Sequence, residues 1–313
     1  MPGGPDDRAP LSIAPDDLRQ LADHDARHRR FDGGAGPLAA LDTGGDGERG
    51  TVLLVPGFTG SKEDFAPLLR PLCAAGHRVV ALDQRGQFES PGPDDPARYS
   101  VAELGEDLVA VARQLRAEGA STLHLLGHSF GGLVSRAAVL AEPATFASLT
   151  LLGSGPSRLG GARAELLEHL TPLLDAGGIP LVDETLEQLA MTDPKAQQVP
   201  EPTRAFLSRR FLASSEAGLR GMADAMTREP DRVAELAATG VPVLVAYGEA
   251  DDAWPPAVQQ DMAARLGARH EAIPGAIHSP AIENPPRTVE VLLDFWASVP
   301  SGDRSAEDAG ALR

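Results

Sequence analysis

The run Thr122-Leu123-His124-Leu125-Leu126 joins a helical run, Leu133 to Leu140, through Gly127-His128-Ser129-Phe130-Gly131, and no other feature constrains the fold as tightly. The first run has the length of a buried strand, and the second has the periodicity of a helix packed on one side. A strand that becomes a helix within so few residues holds Ser129 in strained backbone angles. Any Cβ at the flanking glycines would strike the adjoining strand or helix. The serine hydroxyl then stands at the positive end of a helix dipole. Thirty-three glycines in 313 residues produce G-x-S-x-G by chance roughly 0.2 times per chain, so the surroundings decide its meaning.

Those surroundings alternate strand-like and helical segments, the pattern of a parallel sheet with covered faces. Residues 51–55 read as a strand ending in Pro56-Gly57, and Ser61 with Asp64 forms a capping box for a helix to about residue 75. Residues 78–82 form the next strand, and Ser100 with Glu103 opens a helix to about residue 118. Residues 148–152 form another strand, ended by Gly153-Ser154-Gly155-Pro156. From about 158 to 240 only helical patterns occur (162–176, 183–191, 203–213, 215–228), broken by prolines. Strands resume at 241–247 and about 269–273, before a last helix near 287–298.

The expected fold class is α/β, a mostly parallel twisted sheet with helices on both faces. The expected helical cap lies over the carboxyl ends of the strands, where such sheets bind ligands. Residues 1–28 read as an N-terminal extension, 29–157 and 240–299 as the core, 158–239 as the cap, and 300–313 as a disordered tail.

Composition narrows the partners. A net charge of −17 argues against nucleic acid and anionic membrane surfaces. One cysteine, Cys73, leaves neither an internal disulfide nor a cysteine metal cluster, and its apolar helical stretch (67–75) suggests a small core residue. No apolar run approaches the roughly 20 residues of a membrane span. Residues 1–15 lack the basic start and apolar stretch of a secretory signal, so the expected setting is cytoplasmic.

A serine nucleophile needs a base, a group that orients the base, and donors for the developing oxyanion. The chain has eight histidines. His24 and His28 read as a solvated, charged helical stretch. His77, His169, His124 and His270 read as surface or satisfied core positions, and His128 is too close to the serine to face it. His278 differs, because the loop Pro274-Gly275-Ala276-Ile277-His278-Ser279-Pro280 follows the last strand at the sheet's active edge. The carboxylate should also leave a strand end, where Gly248-Glu249-Ala250-Asp251-Asp252 offers Asp251, with Asp252 as a competitor. The oxyanion donors should be backbone N–H groups, those of Phe130 and Phe58.

With these elements in order, the chain resembles the α/β-hydrolase superfamily, in its capped bacterial serine-hydrolase form. The resemblance covers about residues 43–298. It rests on Val55-Pro56-Gly57-Phe58; Asp83-Gln84-Arg85-Gly86 with Ser90; Gly127 to Gly132; Gly248-x-x-Asp251 with Pro255; and Gly275 to Pro280 with Glu283 and Pro285. It favours Asp251, because the family's catalytic aspartate is the third residue after the strand-end glycine. Three positions depart from the pattern: Pro56 replaces a common histidine, Glu89 a small residue, and Ile277 a common glycine.

The resemblance implies hydrolysis of an ester-like small molecule by Ser129, His278 and Asp251, with Phe58 and Phe130 as N–H donors and no cofactor. Met191, Phe206, Phe211, Met222 and Met226 could line an acyl pocket or form plain core. Asp83-Gln84-Arg85-Gly86 is also similar to proline iminopeptidases, whose reaction would need cap carboxylates; Glu165, Glu168, Glu184, Glu187 and Glu201 are the candidates. A carbon–carbon bond hydrolase or cofactor-free perhydrolase could use the same triad, and a non-catalytic ligand-binding protein could use the same scaffold.

Overall fold

A computed structural model describes residues 19–192 and 198–300. Residues 1–18 of the expected extension and 301–313 of the expected tail lie outside the described residues. The chain opens with a hairpin, β1 (Arg27–Gly33) and β2 (Gly36–Asp42), followed by β3 (Thr51–Val55), α1 (Ala66–Ala74), β4 (Arg78–Leu82) and α2 (Val101–Ala117). Next come β5 (Leu123–His128), α3 (Phe130–Ala141) and β6 (Ser148–Leu152). The inserted cap carries α4 (Gly161–Ala190), α5 (Glu201–Leu212), α6 (Glu216–Arg228) and α7 (Val233–Ala238). The sheet resumes with β7 (Val243–Gly248), α8 (Pro256–Leu266), β8 (Arg269–Ile273), the short α9 (Pro280–Glu283) and α10 (Pro285–Ser298).

The strand order is β1-β2-β4-β3-β5-β6-β7-β8. From β4 to β8 every pairing is parallel, while β1–β2 and β2–β4 are antiparallel. Leaving β3 the chain steps outward to β4, then crosses back to β5 on the other side. Loops after β3 and β5 therefore diverge and open a crevice at the carboxyl edge, the switch point where α/β sheets bind ligands.

Alternation along the strands builds two cores. Leu53, Val55, Leu125 and Leu149 face a cluster completed by α2, α3 and α8. Val52, Leu54, Leu126 and Leu244 face the opposite cluster, completed by α1 and α10. Strands β3, β5, β6 and β7 are buried along their whole length, as expected of parallel strands covered on both faces.

Three local expectations change. The stretch around His28 is strand rather than helix, and in β1 only Phe31 is buried, so an apolar pattern is missing. Charge along an exposed edge discourages pairing with another chain and hides the strand from periodicity. Cys73 is exposed, one step round the helix from the buried Leu68, Leu69 and Leu72. In the cap, α4 spans both helices expected at 162–176 and 183–191. Gly178, at φ 67° and ψ −165°, breaks it between them.

Candidate active site

Ser129 occupies the turn between β5 and α3 at φ 54° and ψ −122°, a conformation rare for any residue with a side chain. Its N–H donates to the Leu152 carbonyl at 2.9 Å, and its carbonyl starts the helix by accepting from Gly132. The close approach requires glycine. A Cβ on Gly127 would overlap the Gly131 backbone, and one on Gly131 would meet the Val55 and Pro56 carbonyls at the end of β3.

The three side chains expected from the sequence are brought together at the carboxyl edge. His278 Nε2 lies 2.9 Å from Ser129 Oγ, and His278 Nδ1 lies 3.1 Å from Asp251 Oδ1. Ser129, Asp251 and His278 are 7%, 4% and 8% exposed, so the array is dry but open at its tip. Asp251 also accepts from the N–H groups of Ala253 (2.9 Å) and Trp254 (3.4 Å), and from Gln259 Nε2 (3.0 Å). Burial raises the pKa of this carboxyl, but hydrogen bonds from His278, Ala253 and Gln259 outweigh it and hold the group below the usual aspartate value. Asp252, by contrast, is exposed and pairs with Arg163 Nη2 at 2.7 Å.

Two residues to which sequence reasoning gave no role in the site fix the His278 loop. Glu283 accepts from the N–H groups of Ile277 and Ser279, both at 2.8 Å, gripping the backbone on either side of the imidazole. His128 Nε2 lies 2.7 Å from the His278 carbonyl, which can only accept, so that nitrogen carries the proton. Burial, and secondarily His278, lowers the His128 pKa to about 4 and keeps its ring neutral.

The loop after β3 passes beside the serine, since a Cβ on Gly57 would lie 3.2 Å from Ser129 Cβ. Phe58 is half-buried and packs against a cap cluster of Leu174, Ile179, Val182, Phe211 and Leu219. Behind the loop, Lys62 is fully buried, with Nζ within 2.9 Å of Asp83, Glu63 and Glu89. Although burial opposes its charge, those carboxylates hold the ammonium above the usual lysine range. Phe88, at φ 38°, sets its ring edge-on to Phe206 of α5 and 4.7 Å from Lys62 Nζ. Arg210 of α5 reaches down to Asp64 Oδ1 (2.6 Å) and Ser61 Oγ (3.2 Å).

Of the expected pocket residues, Phe211 and Phe206 thus meet the loops around the site. Met222 and Met226 belong to the main core, and Met191 is 74% exposed. All five cap glutamates named above are exposed. The donor atoms of Asp251, Asp252 and His278 lie within 4.8 Å of one another, a spacing a cation could use. Asp251 is already engaged by His278 and Gln259, however, and Asp252 by Arg163.

Comparisons agree with this architecture. The chain belongs to the Alpha/beta hydrolase family, whose pattern matches residues 52–291, and it is a hydrolase. A Variovorax paradoxus (strain S110) protein assigned as carbamate hydrolase RutD is 35% identical over 260 residues, covering 81% of this chain and 93% of the relative. The pimeloyl-[acyl-carrier protein] methyl ester esterase of Aeromonas hydrophila is 27% identical over 234 residues, covering 72% and 87%. A thermophilic esterase from Thermogutta terrifontis superposes with a TM-score of 0.70 at 24% identity, covering 88% of this chain and 99% of that one. Among the described residues, no helix is long and apolar enough to cross a membrane.

Proposed function

We propose that this hydrolase cleaves carboxylic esters through an acyl-enzyme formed on Ser129. The observation that carries the reading is the unbroken hydrogen-bonded series Ser129 Oγ–His278 Nε2–Asp251 Oδ1, at 2.9 and 3.1 Å. His278 Nδ1–H donates to Asp251, which leaves Nε2 free to accept the serine proton. As the proton leaves, Oγ bonds to the ester carbonyl carbon, and the N–H groups of Phe58 and Phe130 receive the oxyanion. His278 Nε2–H then protonates the leaving alcohol. Water attacks the acyl-enzyme by the same steps and releases the acid.

The cap, residues 158–239, selects the substrate in this reading. The apolar cluster against Phe58 supports an uncharged acyl or alcohol group beside the bond cleaved. The methyl ester esterase relative supports the ester class. The five exposed cap glutamates do not favour a peptidase, which would need a carboxylate turned towards the substrate's amino group. The 35% identical relative supports carbamates as a second class, cleaved by the same steps with His278 protonating an amine. The setting is cytoplasmic, in keeping with a single cysteine.

A fluorophosphonate probe tests the nucleophile. Label should appear on Ser129 and vanish in Ser129→Ala, whose turnover of p-nitrophenyl esters should fall by several orders of magnitude while its melting temperature holds. Undiminished turnover in that variant would refute the reading. Ester turnover without cleavage of proline p-nitroanilide separates esterase from peptidase.

A further inference from the structure

No strand pairs with the loop that carries the Phe58 N–H; a turn bond from the Gly60 N–H to the Gly57 carbonyl (3.1 Å) closes it, and side chains anchor three of its consecutive carbonyls. Gln84 Nε2 donates to the Pro56 carbonyl at 2.8 Å. Gln87 Nε2 donates to the carbonyls of Gly57 (2.7 Å) and Phe58 (2.9 Å), one for each of its two hydrogens. Gln87 Oε1 accepts from the Gln84 N–H at 3.0 Å, so the orientation of the carboxamide is fixed by its partners. Both glutamines are buried, at 3% and 2% exposure. The next residue, Phe88, keeps a positive φ that a side chain adopts only where packing over-determines it.

In a trans peptide the C=O and N–H point in opposite directions, and the described residues contain no cis bond. Drawing the Gly57 carbonyl towards Gln87 therefore turns the Phe58 N–H the other way. A Cβ on Gly57 would sit 3.6 Å from Ser129 Oγ, so this segment borders the nucleophile.

We propose that Gln87 is a positioning residue: by holding the Gly57 and Phe58 carbonyls, it aims the Phe58 N–H at the substrate carbonyl oxygen. This rests on the Ser129 reading above. Its effect belongs to the oxyanion, so it acts on the tetrahedral state and spares ground-state binding.

The test compares the parent with Gln87→Met, which preserves length and removes both donors, and with Gln87→Asn, which keeps the amide but withdraws it by one methylene. Each is assayed for kcat and KM on a p-nitrophenyl ester and for the Ki of a trifluoromethyl ketone, whose serine adduct carries an oxyanion. Loss of a whole oxyanion donor costs about 10²–10³ in turnover. Gln87→Met should lower kcat by about 10²-fold, raise the ketone Ki by a similar factor, and leave KM within about threefold. Gln87→Asn should fall in the same direction, and it carries the test should the methionine variant not fold. A folded variant with parental kcat and Ki overturns the proposal, as does a loss confined to KM or thermal stability. If Ser129→Ala retains turnover, the underlying reading has failed instead. If Ser129→Ala is inactive while Gln87 variants match the parent, only the role of Gln87 has failed.

Discussion

His124 lies in β5, five positions before the serine turn, and it should make the protein labile to mild acid. The side chain is 2% exposed, with Nδ1 2.8 Å from Ser148 Oγ and its ring stacked on Trp296 at 5.4 Å. Burial, with a smaller contribution from His77, drives its pKa from an ordinary 6.5 down to about 3. Between those two values the unfolded chain binds a proton that the folded protein excludes. Stability therefore rises with pH across this window and is lost as pH falls from about 6.5 towards 3. At about pH 5 the loss from this one side chain is about 2 kcal/mol, taking about 1.36 kcal/mol per pKa unit. For a chain of this size that is roughly 3 °C in Tm, taking about 2.1 cal/mol/K of unfolding entropy per residue.

Other groups titrate nearby, so a single-residue difference is the measurement. His128, lowered to about 4, acts in the same direction as His124. Asp83, pushed up to about 6 by burial, acts in the opposite one, because the folded state then binds the extra proton. His124→Gln keeps a polar partner for Ser148 and removes the titration. Between about pH 7.5 and pH 5, urea unfolding of the parent should lose about 2 kcal/mol more than unfolding of the variant. Equal losses in the two proteins would refute the burial argument, whatever the variant's stability at neutral pH.

Asp251→Asn should reduce kcat by about 10⁴-fold by releasing the imidazole from its productive tautomer, whereas Asp252→Asn, exposed and paired with Arg163, should stay close to the parent. Steady-state kinetics on one ester decides between them. Gly131→Ala should destabilise by about 1–3 kcal/mol in urea unfolding, because the added Cβ meets the Val55 carbonyl at the end of β3 and the Pro56 carbonyl held by Gln84. Arg136 is 1% exposed, bonded to Glu229 at 2.8 Å and to the Pro156 carbonyl. Arg136→Met strands a half-buried carboxylate and should cost about 3–5 kcal/mol, read from the same denaturant curves.

The strands β3 to β7 and the residues of the candidate Ser129–His278–Asp251 array were legible because parallel strands buried on both faces are short apolar runs, whereas β8 is buried only at Ile273. The residues of interest also sit at their carboxyl ends, where glycine and proline mark the turns. The choice of Asp251 over Asp252 was less legible, since adjacent carboxylates on a turn look alike until Gln259 and two N–H groups select one. In the hairpin, β1 left no signal because Arg27, Arg29 and Arg30 carry charge where an inner strand would carry valine, whereas β2 is a buried apolar run that the sequence reading did not assign. The roles of Gln84 and Gln87 were not legible for another reason. Glutamine in a loop reads as solvated, and only a folded neighbour shows that it is buried against carbonyls.

That last failure explains why the surroundings of Ser129 are polar yet dry. A loop buried beside an active site has carbonyls and N–H groups with no strand to pair them, and each unpaired one is costly. Residues 83–90 answer this with side chains. Ser90 Oγ donates to the Asp83 carbonyl and accepts from Ala39 N–H, both at 2.8 Å, tying the segment to β2. Arg85 grips Asp107 of α2 with two bonds of 2.8 Å, and Lys62 neutralises Asp83 from the adjoining loop. Gln84 and Gln87 then have a rigid base from which to hold the loop after β3. With its carbonyls engaged from behind, that loop can face Ser129 with an N–H directed forward. The strain at Ser129 and Phe88 persists because this network leaves neither residue another conformation that keeps its neighbours paired.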